Sequence, residues 1–179
     1  MRKLILVFSI LVLNSIPTWA QSAKPTSIYT NLSGKTCRSV KSGAEPGSNI
    51  RKCSGVSNYS LLVLDDDNRM SLTLLTPDGK AHPLELWTII TKSFSTLGGK
   101  AEWRVIQKRG KLTPIALIVR VNANILEDPD KPQRKSYLAV TKITPEKVCV
   151  TDKVEAAADA NAKARQLADD STQKDCLKP

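Results

Sequence analysis

Hydrophobic residues recur at every second position along much of this chain, which is the period of a half-buried β-strand. Over residues 69–76, Met70, Leu72 and Leu74 alternate with Ser71 and Thr73. Over 101–108, Ala101, Trp103 and Val105 oppose Glu102 and Arg104. Residues 59–64 form a short apolar run. Residues 112–121 are apolar almost throughout and read as a central strand, with Pro114 tolerable near its start. Residues 136–143 and 147–150 complete the strand set. Upstream, residues 21–58 are rich in Ser, Gly, Asn and Pro and hold two shorter strands, near Ile28 and Tyr29 and near Ile50 to Cys53. Asp65-Asp66-Asp67-Asn68 and Pro77-Asp78-Gly79-Lys80 read as turns, the second because Pro presets φ and Gly accepts positive φ.

Two segments depart from that period. In 83–97, Leu84, Trp87, Ile90, Phe94 and Leu97 recur at helical spacing, whereas Thr88, Ile89, Ile90 and Thr91 favour a strand. The expectation is a strand through about Ile90 followed by a turn of helix. Residues 154–170 are alanine-rich and predict a helix, with Asp152 and Glu155 resembling a capping box. Its apolar face (Val154, Ala157, Ala160, Ala164 and Leu167) is thin, so it would be marginal alone. The fold class expected is α+β: mainly antiparallel β-sheet, sandwich or half-barrel, with a C-terminal α-helix and two disulfides.

The first twenty residues predict export. Arg2 and Lys3 precede an apolar run over 4–13 broken only by Ser9, and Thr18-Trp19-Ala20 supplies small or uncharged residues before a cleavage site after Ala20. An apolar run that short cannot cross a hydrocarbon core about 30 Å thick. No cysteine follows the site, so a lipoprotein anchor is not indicated. The expected organisation is a signal peptide over 1–20 and one globular domain over 21–179, with its core in 27–177 and short flexible ends. The expected location is the periplasm or the exterior.

Export changes the meaning of the four cysteines, Cys37, Cys53, Cys149 and Cys176. In an oxidising compartment an even count implies disulfides, with three possible pairings. Cys37–Cys53 and Cys149–Cys176 are favoured because each closes a local loop. The first brackets a turn-rich stretch over 43–48, and the second ties down both ends of the predicted helix. The spacing offers neither C-x-x-C nor paired zinc ligands.

Cleavage leaves 25 Lys/Arg against 17 Asp/Glu, a formal charge of +8. Residues 21–60 carry six cations and one acid, and residues 101–150 carry ten and five. A basic protein outside the cytoplasm is drawn to anionic partners: a glycan, a lipid head group or an acidic protein. No nucleic-acid motif accompanies the charge.

The search for chemistry assigns no catalytic residue, cofactor or metal ligand. His82 is the lone histidine, and no G-x-S-x-G surrounds any serine. Asp65, Asp66 and Asp67, and the second acidic run Glu127, Asp128 and Asp130, have calcium-ligating oxygens without EF-hand spacing; Asp is equally a turn former. Gly98-Gly99-Lys100 lacks the other parts of a phosphate loop. Trp87 and Trp103 are candidates for a ligand platform, although six aromatics in the exported chain favour packing roles. Arg104 and Arg120 are candidates for a cationic stripe across one sheet face. Glu85 and Glu102 are carboxylates for sugar hydrolysis by residue type only. Two function classes follow: a non-catalytic binding module with an anionic partner, or a hydrolase using His82 and a carboxylate.

Several stretches carry a resemblance: Tyr29-Thr30-Asn31-Leu32, Arg51-Lys52-Cys53-Ser54-Gly55, Arg69-Met70-Ser71, Ala101-Glu102-Trp103-Arg104, Ala116-Leu117-Ile118-Val119-Arg120-Val121 and Val148-Cys149-Val150-Thr151-Asp152. Over most of 27–177 the chain resembles a group of small exported proteins, chiefly proteobacterial, to which no activity is assigned. The resemblance implies a shared fold and two bridges, and no catalytic residue.

Overall fold

The alternating segments do become strands, and their order along the sheet explains which of them are buried on both sides. The computed structural model describes residues 23–40, 49–108, 110–126 and 131–179. The predicted cleavage site, the turn-rich stretch over 43–48 and the acidic run over 127–130 lie outside them. The strands are β1 (Thr26–Asn31), β2 (Cys37–Ser39), β3 (Asn49–Ser54), β4 (Ser60–Asp66), β5 (Arg69–Leu75), β6 (Ala81–Pro83), β7 (Phe94–Lys108), β8 (Lys111–Ile125), β9 (Gln133–Ile143) and β10 (Val148–Glu155). Two α-helices join them, α1 (Leu86–Ile89) and α2 (Ala160–Asp169). Among the described residues no helix is long and apolar enough to cross a membrane.

The sheet is open and runs β10-β9-β8-β7-β5-β4-β3-β2. All pairings are antiparallel except a single parallel contact, Arg69 with Ser95 between β5 and β7. Beyond that contact the free edge of β7 takes β1 over Lys100–Val105, and the free edge of β5 takes β6. The sheet therefore bends between β5 and β7, and its two halves enclose one core. Leu61, Val63, Leu72 and Leu74 from one half meet Trp103, Leu117, Val119, Val121 and Ala139 from the other. A second, smaller core lies on the outer face of β8 to β10, where Ala116, Ile118, Leu138, Val140 and Val154 receive Ala160, Ala164 and Ala168 of α2. Alanine at every fourth position lets the helix backbone approach the sheet closely while burying little apolar area.

Two irregularities steer side chains between these cores. In β10 the register slips between Val150, opposite Thr141, and Asp152, opposite Val140. The extra residue, Thr151, moves the next apolar residue to the other face. Val148 and Val150 therefore enter the main core, whereas Val154 lies under the helix. In β7 the register slips between Leu97 and Ala101, across Gly98 and Gly99. A Cβ on Gly98 would sit 2.9 Å from Cβ of Arg120, so the bulge needs glycine there. Pro114 also sits at a slip, between the Arg104–Ala116 and Val105–Pro114 pairs, where its missing N–H breaks no regular ladder.

Two expectations are corrected. The helix begins at Ala160 and not at Val154, because Val148–Glu155 pairs with β9 along its length and Asp152 and Glu155 belong to that strand. In 83–97 the first strand ends at Pro83 and not near Ile90, the helical turn is Leu86–Ile89, and strand resumes at Phe94. Leu86 and Ile90, four apart, are both buried in the main core, and Leu86 N–H donates to Ser71 Oγ at 2.9 Å. That packing outweighs the β-branched composition of 88–91.

Ser95 is buried at the bend, and its Oγ has no hydrogen-bond partner among the described residues. Ser95→Ala should leave stability unchanged or raise it by up to about 1 kcal/mol, since it deletes an unsatisfied hydroxyl. Urea denaturation checks this; a clear loss of stability would mean that the hydroxyl is satisfied.

Candidate functional site

Trp103, Arg104 and Arg120 were candidates for ligand contact, and the structure gives each a partner within the fold. Trp103 is fully buried, its indole N–H donates to Thr30 Oγ1 at 2.8 Å, and the Tyr59 ring lies 6.1 Å away. Gly55 passes so close to the indole that a Cβ there would lie 2.7 Å from it. Trp103 is therefore core and not a platform. Arg104 is also buried. It donates to both carboxylate oxygens of Asp169 on α2, at 2.7 and 2.8 Å, and to Ser27 Oγ and the carbonyl of Pro25. Arg120 donates to Ser136 Oγ at 2.9 Å and to Asn161 of α2 at 3.4 Å. The expected cationic stripe thus exists as a surface, but the C-terminal helix of the same chain occupies it. Glu102 faces the same side and accepts from Arg165 of α2 at 2.6 Å.

His82 lies in a cleft of about 550 Å³ at one end of the bent sheet. Tyr59, Asp78, Lys80 and Thr172 share it, and Pro77, Pro114, Ile143 and Pro145 supply much of the wall. Burial lowers the His82 pKa below the ordinary imidazole value; Lys80 adds to this and Asp78 opposes it. Burial, followed by Asp78, raises the Tyr59 hydroxyl, while a hydrogen bond from Thr76 holds the exposed Asp78 carboxyl low. A depressed histidine pKa means that the folded chain takes up the proton less readily than the unfolded one. The resulting stability is fully present above the unfolded value of about 6.5 and is lost as pH falls toward the folded value. The melting temperature should therefore fall as pH drops below about 6.5, and His82→Gln should flatten that part of the profile. An identical slope in the variant would reject His82 as the group responsible.

At the opposite end of the sheet, two adjacent recesses share Arg69 and Lys92. One, about 410 Å³, is walled by Phe94, Ile125 and Leu126; the other, about 320 Å³, contains Trp87 and Thr88. Phe94 and Leu126 are among the exposed large hydrophobic residues of the chain. The turn that carries Arg69 is a two-residue hairpin with Asp67 and Asn68 both at positive φ, 49° and 57°. Asp67 reaches Arg69 at 3.5 Å, with both side chains largely exposed.

A third feature escaped sequence reasoning. On the short hairpin β2–β3, Arg38 stands directly opposite Lys52, one pair along from Cys37 opposite Cys53. The Cys37–Cys53 bridge, with Cα atoms 4.0 Å apart, pins that register. The Cβ atoms of such a directly opposed pair lie about 5 Å apart, and like charges placed there are destabilising. A bridge closing a loop of that size is worth about 3 kcal/mol and can hold the pair together. Arg51, next along β3, projects from the opposite face of the strand, and among the described residues neither Arg38 nor Lys52 forms an ion pair. Arg38, Lys52, Thr36 and the exposed Val40 line a hollow of about 280 Å³. The signal was present in the cationic excess of 21–60, but only strand register shows which cations meet.

Among the described residues there is no group of three or more acidic, histidine or cysteine side chains placed to hold a metal ion. Comparison with protein-family models, curated proteins and solved structures found no match for this chain.

Proposed function

We propose that this chain is an exported, non-catalytic binding protein whose cationic β2–β3 face engages an anionic envelope partner: a glycan, a lipid head group or an acidic protein. The observation that carries the reading is the juxtaposition of Arg38 and Lys52 under a disulfide. A fold that spends stability on a like-charge pair recovers it when an anion bridges the two. Export is supported by two disulfides, which persist in oxidising compartments, and by the predicted cleavage after Ala20.

The test uses the chain beginning at Gln21. Retention on vesicles of phosphatidylglycerol and phosphatidylcholine, and on lipopolysaccharide, should fall steeply between about 50 and about 500 mM salt. It should also fall in the double variant Arg38→Ser/Lys52→Ser. Retention indifferent to salt, or equal in the variant, would remove this reading. A hydrolase built on His82 is the second reading, favoured by His82 and Asp78 lining one cleft. Its test is a turnover found by substrate screening that His82→Ala abolishes without unfolding the chain.

A further inference from the structure

We propose that the end of the sheet carrying Arg69 and Lys92 is a separate binding site for an amphiphilic anion, a molecule with one anionic head and an apolar arm. Both cations line both recesses, so they form the ridge between them. Each recess adds an apolar surface, Phe94, Ile125 and Leu126 on one side and Trp87 on the other. Phe94 and Leu126 are 42% and 52% exposed and line the same recess, so together with Ile125 they form an apolar patch rather than scattered surface residues. The volumes, about 410 and about 320 Å³, suit small molecules rather than a protein surface. Arg69 brings planar, paired donors suited to phosphate or carboxylate oxygens, and Lys92 adds a point charge. Each recess also carries one carboxylate, Asp67 in the first and Asp66 in the second; Asp67, 3.5 Å from Arg69, is an exposed internal competitor that a stronger anion displaces.

This site shares no lining residue with the β2–β3 hollow, so the two readings can fail independently. The probe is dodecyl phosphate below its micelle concentration, read by the fluorescence of Trp87. The other tryptophan of the exported chain, Trp103, is fully buried and gives a constant background. Dodecyl phosphate should quench or shift the emission saturably, and Trp87→Phe should remove the signal. Inorganic phosphate, which lacks the arm, and dodecyl maltoside, which lacks the charge, should each bind at least about tenfold more weakly.

The double variant Arg69→Gln/Lys92→Gln should lose about tenfold or more in affinity. Phe94→Ala should weaken dodecyl phosphate and leave inorganic phosphate unchanged. Asp67→Asn keeps a residue that tolerates the left-handed turn and should tighten binding about two- to fivefold. Circular dichroism of every variant separates loss of binding from loss of fold, and calorimetry provides a second binding readout. Equal affinity for dodecyl maltoside, equal affinity for inorganic phosphate, or full affinity in the double variant would each overturn the proposal. Arg38→Ser/Lys52→Ser should bind dodecyl phosphate like the parent; if that pair alone governs binding, the anion belongs to the β2–β3 face and this site is rejected.

Discussion

Asp169→Ala should destabilise the chain by about 3 kcal/mol, the largest loss expected from any single polar substitution. The side chain of Arg104 is 8% exposed and that of Asp169 30%. Removing the carboxylate leaves the guanidinium under α2 with only Ser27 and the carbonyl of Pro25, neither of which carries charge. The more exposed partner is the one deleted, so the cost belongs to the buried cation left behind, and the estimate sits at the low end of the usual range. The network makes a sharper test possible. Arg104→Met together with Asp169→Ala removes both charges and should cost much less than Asp169→Ala alone. A double-mutant cycle by urea denaturation reads the difference. If the two single losses simply add, the pair is not coupled and the helix is held by other means.

Loss of the Cys149–Cys176 bridge should cost about 3.5 kcal/mol in the chain-entropy model, for a sequence separation of 27. Cys149→Ser/Cys176→Ser avoids exchange with the other bridge. The expected result is a lower urea midpoint, with the greatest rise in amide exchange in α2 and the tail that follows it. Apolar burial holds that segment weakly, because its buried face is three alanines, so the bridge adds to the ion pairs of Asp169 and Arg165. Polar contacts complete the attachment: Lys142 Nζ to the carbonyl of Lys174 at 2.5 Å, Lys174 Nζ to Asp152 at 2.8 Å, and Leu177 N–H to the carbonyl of Val150 at 2.8 Å. All three need the tail to lie along β9 and β10, and the bridge keeps it there. An unchanged midpoint in the double variant would show that these contacts suffice without the covalent tie.

Much of the scaffold was legible in residue order. Alternation in 69–76 and 101–108 places Leu72, Leu74, Trp103 and Val105 in the core where the structure has them. The apolar run ending at Val121 is the central strand β8, covered on both faces. Local loop closure selected the right pair of bridges from three possibilities. What misled was the second layer. Glu102 and Arg104 have the polar spacing of a solvent face, yet α2 lies over them and pairs with both. Alternation reports that a strand has two unlike faces. It does not report whether the polar one meets water or a helix that carries complementary charge.

The sequence by itself determined the strand-rich class, a turn within Asp65–Asn68 (which the structure narrows to Asp67 and Asn68) and the pairing of the cysteines, because each depends on interactions within a few residues or within one closed loop. Tertiary structure decided where the bend falls, which face of β10 each valine takes, and which cations stand together. Those outcomes rest on bulges and on register between distant strands. A one-residue slip there turns a side chain from one core to the other, and the energies deciding it are spread over contacts that chain order does not display.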